Sequence, residues 1–83
     1  VSGGLKLVKH SLSIRGHRTS VTLEAPFWAA FRALAAAEGV SLGEMAARID
    51  AERLKEGELN LSSAIRVRAL RAALKGEIGE ASS

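Results

Sequence analysis

The segment Arg18-Thr-Ser-Val-Thr-Leu-Glu24, running directly into Ala25-Pro26-Phe27-Trp28, constrains the fold more than any other part of the chain. Successive side chains of an extended chain alternate sides. Val21 and Leu23 therefore share one apolar face, and Arg18, Ser20 and Thr22 share a polar one. No other stretch reads as an equally clear strand, and the residues beyond Glu24 read as helix, so this strand is expected to lack a partner in its own molecule. A bare strand edge exposes backbone donors and acceptors that soluble proteins rarely leave open, and a second copy of the chain pairing across a twofold axis closes it. The expectation is a mostly α chain with one N-terminal β-strand, folded as an intertwined homodimer with an intermolecular two-stranded antiparallel sheet. Its dimer core would hold Val21, Leu23, Phe27, Phe31, Leu34, Leu42, Met45 and Ile49.

Length and charge narrow the partners. A chain of 83 residues buries only about 60 to 65% of its unfolded surface, and dimerisation is a common remedy. Cysteine is absent, which excludes a disulfide scaffold and a cysteine-based zinc site. The apolar run from Trp28 to Val40 is interrupted by Arg32 and Glu38, far short of the roughly 20 apolar residues of a membrane span, and no secretory pattern is visible. Net charge is +3, distributed unevenly: residues 1–23 hold Lys6, Lys9, Arg15 and Arg18 with no acid, whereas residues 24–83 carry a balance of −1. A basic segment at one end of a small domain suits a polyanion, or serves only to keep the chain soluble.

Residues 5–17 show a weaker alternation. Leu12 and Ile14 are in phase with each other but out of phase with Val21 and Leu23, and Gly16 lies between the two sets, where a bulge or turn would reset the register. Residues 1–16 are accordingly expected to be a basic, partly flexible arm. His10 and His17 match no metal-ligand spacing, and no metal or cofactor is expected; the two histidines read as polar arm residues.

Pro26 opens a first helix, where its missing N–H costs nothing, and Glu24 suits the positive end of the helix dipole. Phe27, Ala30, Phe31 and Leu34 make its apolar stripe, and three aromatics at helical spacing read as core, not as a base-stacking platform. Gly39 stops the helix as a left-handed cap. Ser41-Leu42-Gly43-Glu44 is a capping-box sequence opening a second helix; its free amides either serve the cap alone or hold an anion, with Gly43 allowing close approach. Residues 57–75 read as a loop and a third helix, capped by Asn60 or Ser62 and carrying two apolar stripes: Val67, Leu70 and Leu74, and Leu61, Ile65, Ala69 and Ala72. Between them Arg68, Arg71 and Lys75 form a cationic ridge, a solvated face or a second phosphate contact. Residues 76–83 read as a flexible tail.

A strand, a proline-started helix, a glycine stop and a capped second helix, from Arg18 to Leu54, resemble the ribbon-helix-helix family of dimeric DNA-binding proteins. The run Gly16-His-Arg-Thr-Ser-Val-Thr-Leu-Glu-Ala-Pro-Phe-Trp28 with Asn60-Leu-Ser-Ser-Ala-Ile-Arg66 is similar to a small bacterial branch with an appended third helix. The resemblance implies double-stranded DNA as partner, with residues 17–56 the core. It implies paired strands in the major groove, Arg18, Ser20 and Thr22 at base edges, and Ser41, Leu42 and Gly43 on the flanking phosphate. Lys6, Lys9, Arg15 and His17 would add phosphate contacts from the arm. Glu24 departs from members that place a base there, and reads as a helix-dipole partner outside the groove. A dimer able to build higher assemblies on tandem sites is also implied, as is a cytoplasmic, nucleoid-associated location without a membrane partner.

The chemistry agrees: arginine makes bidentate contacts to guanine, and serine and threonine read several bases. A sequence-specific transcriptional regulator, a repressor by operator occupancy, is the leading expectation. The alternative is an adaptor or antitoxin-like dimer using the third helix to dock a protein. Catalysis is disfavoured, because the acids are scattered and both histidines lie in the expected arm.

Overall fold

Leu12 and Ile14 are buried together with Val21 and Leu23, because the chain reverses between them. The computed structural model describes residues 6–57 and 60–76. It contains strands β1 (Leu7–Ile14) and β2 (His17–Glu24) and helices α1 (Ala25–Glu38), α2 (Leu42–Glu56) and α3 (Leu61–Leu74). The strands form one antiparallel hairpin with Ile14 opposite His17, Leu12 opposite Thr19 and Leu7 opposite Glu24. A two-residue loop pairs even-numbered residues of β1 with odd-numbered residues of β2, so the two opposed alternations of the sequence land on one face. Arg15 and Gly16 make that loop with φ of 53° and 82°; the favoured two-residue turn of type I′ needs positive φ at both positions.

The hairpin corrects the expectation of a single strand. Residues 7–14 are a strand and not a flexible arm, and β2 has its partner within its own chain. An unpaired strand therefore no longer argues for an intermolecular sheet. His10, placed in the arm by its sequence context, stacks on Trp28 at a centroid distance of 3.6 Å with an interplanar angle of 4°. Residues 1–5 and 77–83, which hold the start of the expected arm and nearly all of the expected tail, lie outside the described residues, as do 58 and 59.

The apolar face of the hairpin lies on the helices. Val21, Leu23, Phe31, Leu34, Met45 and Ile49 are all buried within a single chain, while Phe27 and Leu42 are half-buried against the same cluster. Residues expected to be covered by a second copy are thus covered by β1 and α3. The α3 stripe of Ile65, Ala69 and Ala72 completes the core. Its other stripe is open toward its C-terminal end, where Leu70 is 54% and Leu74 78% exposed, while Val67 is half-buried. The two apolar faces of α3 do not both dock within one chain.

Local chemistry sets the element ends. At the end of α1 the Gly39 amide donates to Ala36 O (3.1 Å) and the Val40 amide to Ala35 O (3.0 Å), with Gly39 at φ 68°. This is the paired bonding of a left-handed glycine stop. Ser41 caps α2 by accepting from the Glu44 amide (3.0 Å), but the capping box is half made. The Glu44 carboxylate accepts from Arg48 Nε (3.1 Å), one turn along the helix, in place of the Ser41 amide. Asn60, not Ser62, caps α3, its side-chain oxygen accepting from the Ser63 amide (2.8 Å).

Candidate nucleic-acid interface

The outer face of the hairpin is set by its register. Cross-strand pairs Lys9–Thr22, Ser11–Ser20 and Ser13–Arg18 stand between the inward-facing pairs, and all six residues are exposed. Directly opposed residues have Cβ atoms about 4.5 to 5.5 Å apart, so two cations and four hydroxyls form one narrow polar strip. The expected readers Arg18, Ser20 and Thr22 share this face. Ser11 and Ser13 join them from β1, as does Lys9, expected only at phosphate. The alternation Lys9-x-Ser11-x-Ser13, opposite in phase to Leu12 and Ile14, is the sequence signal for these additional residues.

Charge on the strip is uncompensated. Ion pairs engage Arg15, Arg48, Arg53, Arg66 and Arg68, yet none reaches Lys9 or Arg18 among the described residues. Glu24 is the one acid in either strand, and Arg66 Nε of α3 donates to its Oε1 at 2.8 Å. That hydrogen bond is the main cause holding the Glu24 carboxyl below its usual range. Glu24 occupies the N-cap position of α1 without a side-chain capping bond. Its partner is thus a third-helix arginine, whose guanidinium carbon also lies 6.0 Å from the centre of the Phe27 ring.

The other expected DNA-contacting residues divide. Lys6 precedes β1 and is exposed, and His17 is exposed at the hairpin tip. Arg15 is held elsewhere: its guanidinium donates to Asp50 Oδ2 (3.1 Å) and to the Ala47 carbonyl (3.2 Å), fastening the turn to α2. Asp50 is kept ionised below the ordinary carboxylate range, first by its hydrogen bond from Arg53 and then by Arg15. Ser41, Leu42 and Gly43 open α2 beside β1. Gly43 meets the Ser13 carbonyl so closely that a Cβ would overlap it, so its bareness serves contact between α2 and the ribbon. On the cationic ridge, Arg68 is paired with Glu38 at 3.3 Å, whereas Arg71 and Lys75 are exposed.

Both ribbon edges meet a helix start. Gly43 of α2 abuts Ser13 on the β1 side, and on the β2 side the Thr22 amide donates to Ser62 Oγ in the first turn of α3 (3.3 Å). Among the described residues no three His, Cys, Asp or Glu side chains converge to hold a metal. No helix among them is long and apolar enough to cross a membrane.

A ribbon-helix-helix domain model matches residues 7–73, the span from the first strand to the end of α3. The chain belongs to the ribbon-helix-helix domain family. Proteins with this domain are generally DNA-binding regulators. None of the curated proteins compared matches the chain. Among solved structures it is similar to an uncharacterized protein from Bordetella pertussis Tohama I. The identity is 30% and the TM-score 0.72, with 96% of this chain and 69% of that chain covered. The match supports a shared fold across strands and helices alike.

Proposed function

We propose that this ribbon-helix-helix protein is a sequence-specific DNA-binding regulator whose paired strands enter the major groove and which acts as a repressor by occupying its operator. The observation carrying this reading is the exposed strip on which Lys9 and Arg18 have no carboxylate partner among the described residues and stand among four hydroxyls. Arg18 is the base reader of greatest leverage, since a bidentate arginine–guanine contact discriminates by about 1 to 3 kcal/mol. Ser20 and Thr22 supply adaptable donors, acceptors and a methyl. Lys6, Lys9 and His17 would attract phosphate, and the start of α2 at Ser41, Leu42 and Gly43 would hold a phosphate at the groove wall through its backbone amides. Two copies on a twofold or tandem site fit the habit of the family, and work at the nucleoid follows from the ligand.

The deciding experiment is fluorescence anisotropy on a duplex enriched from a random library, over a salt series, with wild type and Arg18→Ala. A reproducible motif is expected, with Arg18→Ala weakening the enriched site far more than random duplex. Lys9→Ala lowers affinity on every sequence and reduces the salt slope by about 1. Equal loss on all sequences for Arg18→Ala would remove base readout.

A second reading rests on Leu70 and Leu74, which are largely exposed on α3. It makes the protein an adaptor or antitoxin-like dimer that docks another protein there. Weak, salt-sensitive DNA binding without an enriched motif would favour it.

A further inference from the structure

We infer that β1 is an internal copy of β2 that occupies, within one chain, the edge of β2 at which the β2 of a second copy pairs. β1 is thus a strap that keeps the chain single, and two copies join as it leaves. The inference concerns assembly and does not depend on what the paired strands bind.

The sequence carries the first part. Lys9-His-Ser-Leu-Ser-Ile14 and Arg18-Thr-Ser-Val-Thr-Leu23 follow one pattern, nine positions apart. Lys9 corresponds to Arg18, Ser11 to Ser20, Leu12 to Val21, Ser13 to Thr22 and Ile14 to Leu23, so charge, hydroxyl and apolar character are kept in turn. Only His10 differs in kind from its counterpart, Thr19.

The register carries the second part. Ser11 stands opposite Ser20, with Lys9 opposite Thr22 and Ser13 opposite Arg18. The pairing is therefore centred on two corresponding residues. Replacing β1 by a second β2, residue for corresponding residue, pairs Ser20 with Ser20 of the second copy and Arg18 with Thr22 of the second copy. That is the pairing of a twofold axis through Ser20. A two-residue turn decides which residues face each other, but it does not require them to correspond.

The packing admits either strand. Leu12 and Ile14 are 6% and 7% exposed in the core that holds Val21 and Leu23, and the Val21 and Leu23 of a second copy would bring nearly the same volume, the kind of exchange that cores tolerate. Gly43 meets β1 at the backbone carbonyl of Ser13, a group that any strand presents. Two contacts belong to β1 alone: His10 on Trp28 and Arg15 on Asp50. Their counterparts on a second β2 are Thr19, which has no ring, and Glu24, which Asp50 would repel. Against these, Arg15 is held at φ 53°, a left-handed conformation that is costly for a residue other than glycine. Strap and partner strand thus compete for one seat, with His10 and Arg15 favouring the strap.

The test uses the absence of cysteine from the chain. Directly opposed strand residues have Cα atoms about 4.5 to 5.5 Å apart, within disulfide reach, so the double variant Ser11→Cys, Ser20→Cys, oxidised at high dilution, locks β1 onto β2. Non-reducing electrophoresis verifies closure within one chain, and circular dichroism verifies the fold of every variant. Sedimentation velocity over a concentration series then compares wild type, His10→Ala and the double variant, oxidised and reduced. Wild type and the reduced variant are expected to associate, with Trp28 emission shifting as the stack is lost, and the oxidised variant to stay single throughout. Losing the stack shifts opening by about twofold or more, and both chains must open, so His10→Ala is expected to associate at about one-fifth of the wild-type concentration or less. Ser20→Cys alone should cross-link two chains on oxidation far faster than Thr22→Cys, which would face Arg18. Equal association of the oxidised and reduced double variant would overturn the inference by placing the contact between copies elsewhere. Wild type and His10→Ala that both stay single, or equal cross-linking at Ser20 and Thr22, would overturn it as well.

Discussion

Gly43 of α2 lies against the Ser13 carbonyl of β1 with no room for a side chain between them. In an ordinary helix, glycine is less favourable than alanine by about 0.8 to 1 kcal/mol, so Gly43→Ala would normally stabilise. Here the added methyl meets backbone, which has no rotamer through which to yield. Gly43→Ala is expected to destabilise by about 1 to 3 kcal/mol, the usual cost of overpacking, read as a lower urea midpoint with unchanged slope. A midpoint at or above wild type would show that α2 does not press on the ribbon.

The stack of His10 on Trp28 tests whether β1 belongs to the folded body. Trp28 is the chain's single tryptophan, so its fluorescence reports this contact without interference. His10→Ala removes an aromatic pair that contributes about 0.5 to 1.5 kcal/mol beyond area burial. In a domain of this size that lowers the melting midpoint by several degrees, at about 4 to 8 °C per kcal/mol. Emission should shift to longer wavelength as the indole face meets water. An unchanged spectrum and midpoint would mean that residues 7–14 behave as the flexible arm that their local sequence suggests.

Local signals make much of the fold legible. Alternation in Arg18–Glu24, proline at the start of α1, glycine after it, and Ser41 and Asn60 as caps each depend on neighbours within a few residues, and each stands where the sequence places it. Family membership follows from the same pattern. The first strand of the hairpin escapes sequence reading because Arg15-Gly16 is not one of the usual asparagine- or aspartate-glycine hairpin signals. The opposed phases of Leu12 and Val21 look like a register fault, whereas a two-residue turn makes them a matched face. Long-range choices are also out of reach. Nothing near Glu24 in sequence announces Arg66, and nothing near Arg15 announces Asp50, because separations of 42 and 35 residues are set by how α2 and α3 fold back on the hairpin.

Glu24 and Arg66 give the fold an acid-sensitive tie between β2 and α3. The folded-state pKa of Glu24 is depressed, chiefly by the Arg66 hydrogen bond. Its contribution is therefore fully present above the usual carboxylate range and is lost as pH falls through the lower folded value. Glu24→Gln should be less stable than wild type at neutral pH, with the difference vanishing in strong acid. Asp50 is depressed in the same direction by Arg53 and Arg15, so the variant keeps part of its acid lability. Urea midpoints across the acid range check this, and a stability difference that persists at the lowest pH would assign the effect to packing instead of charge.

The two stripes of α3 should separate cleanly on substitution. Ile65 is fully buried, and Ile65→Ala is expected to cost about 2 to 5 kcal/mol through lost burial and an unfilled cavity. Leu70 and Leu74 are mostly exposed, so the double variant Leu70→Ser, Leu74→Ser loses little packing. Surface changes of this kind usually stay within about 0.5 kcal/mol per site. Denaturation at dilute concentration isolates this single-chain effect; repeating it at high concentration asks whether copies cover the stripe. If Leu70 and Leu74 pack between copies, wild-type stability rises with concentration and the double variant loses that rise. If both proteins unfold at the same midpoint throughout, the stripe does not contribute to self-association, and the hydrophobic core closed by Ile65 is sufficient for the single chain to stand alone.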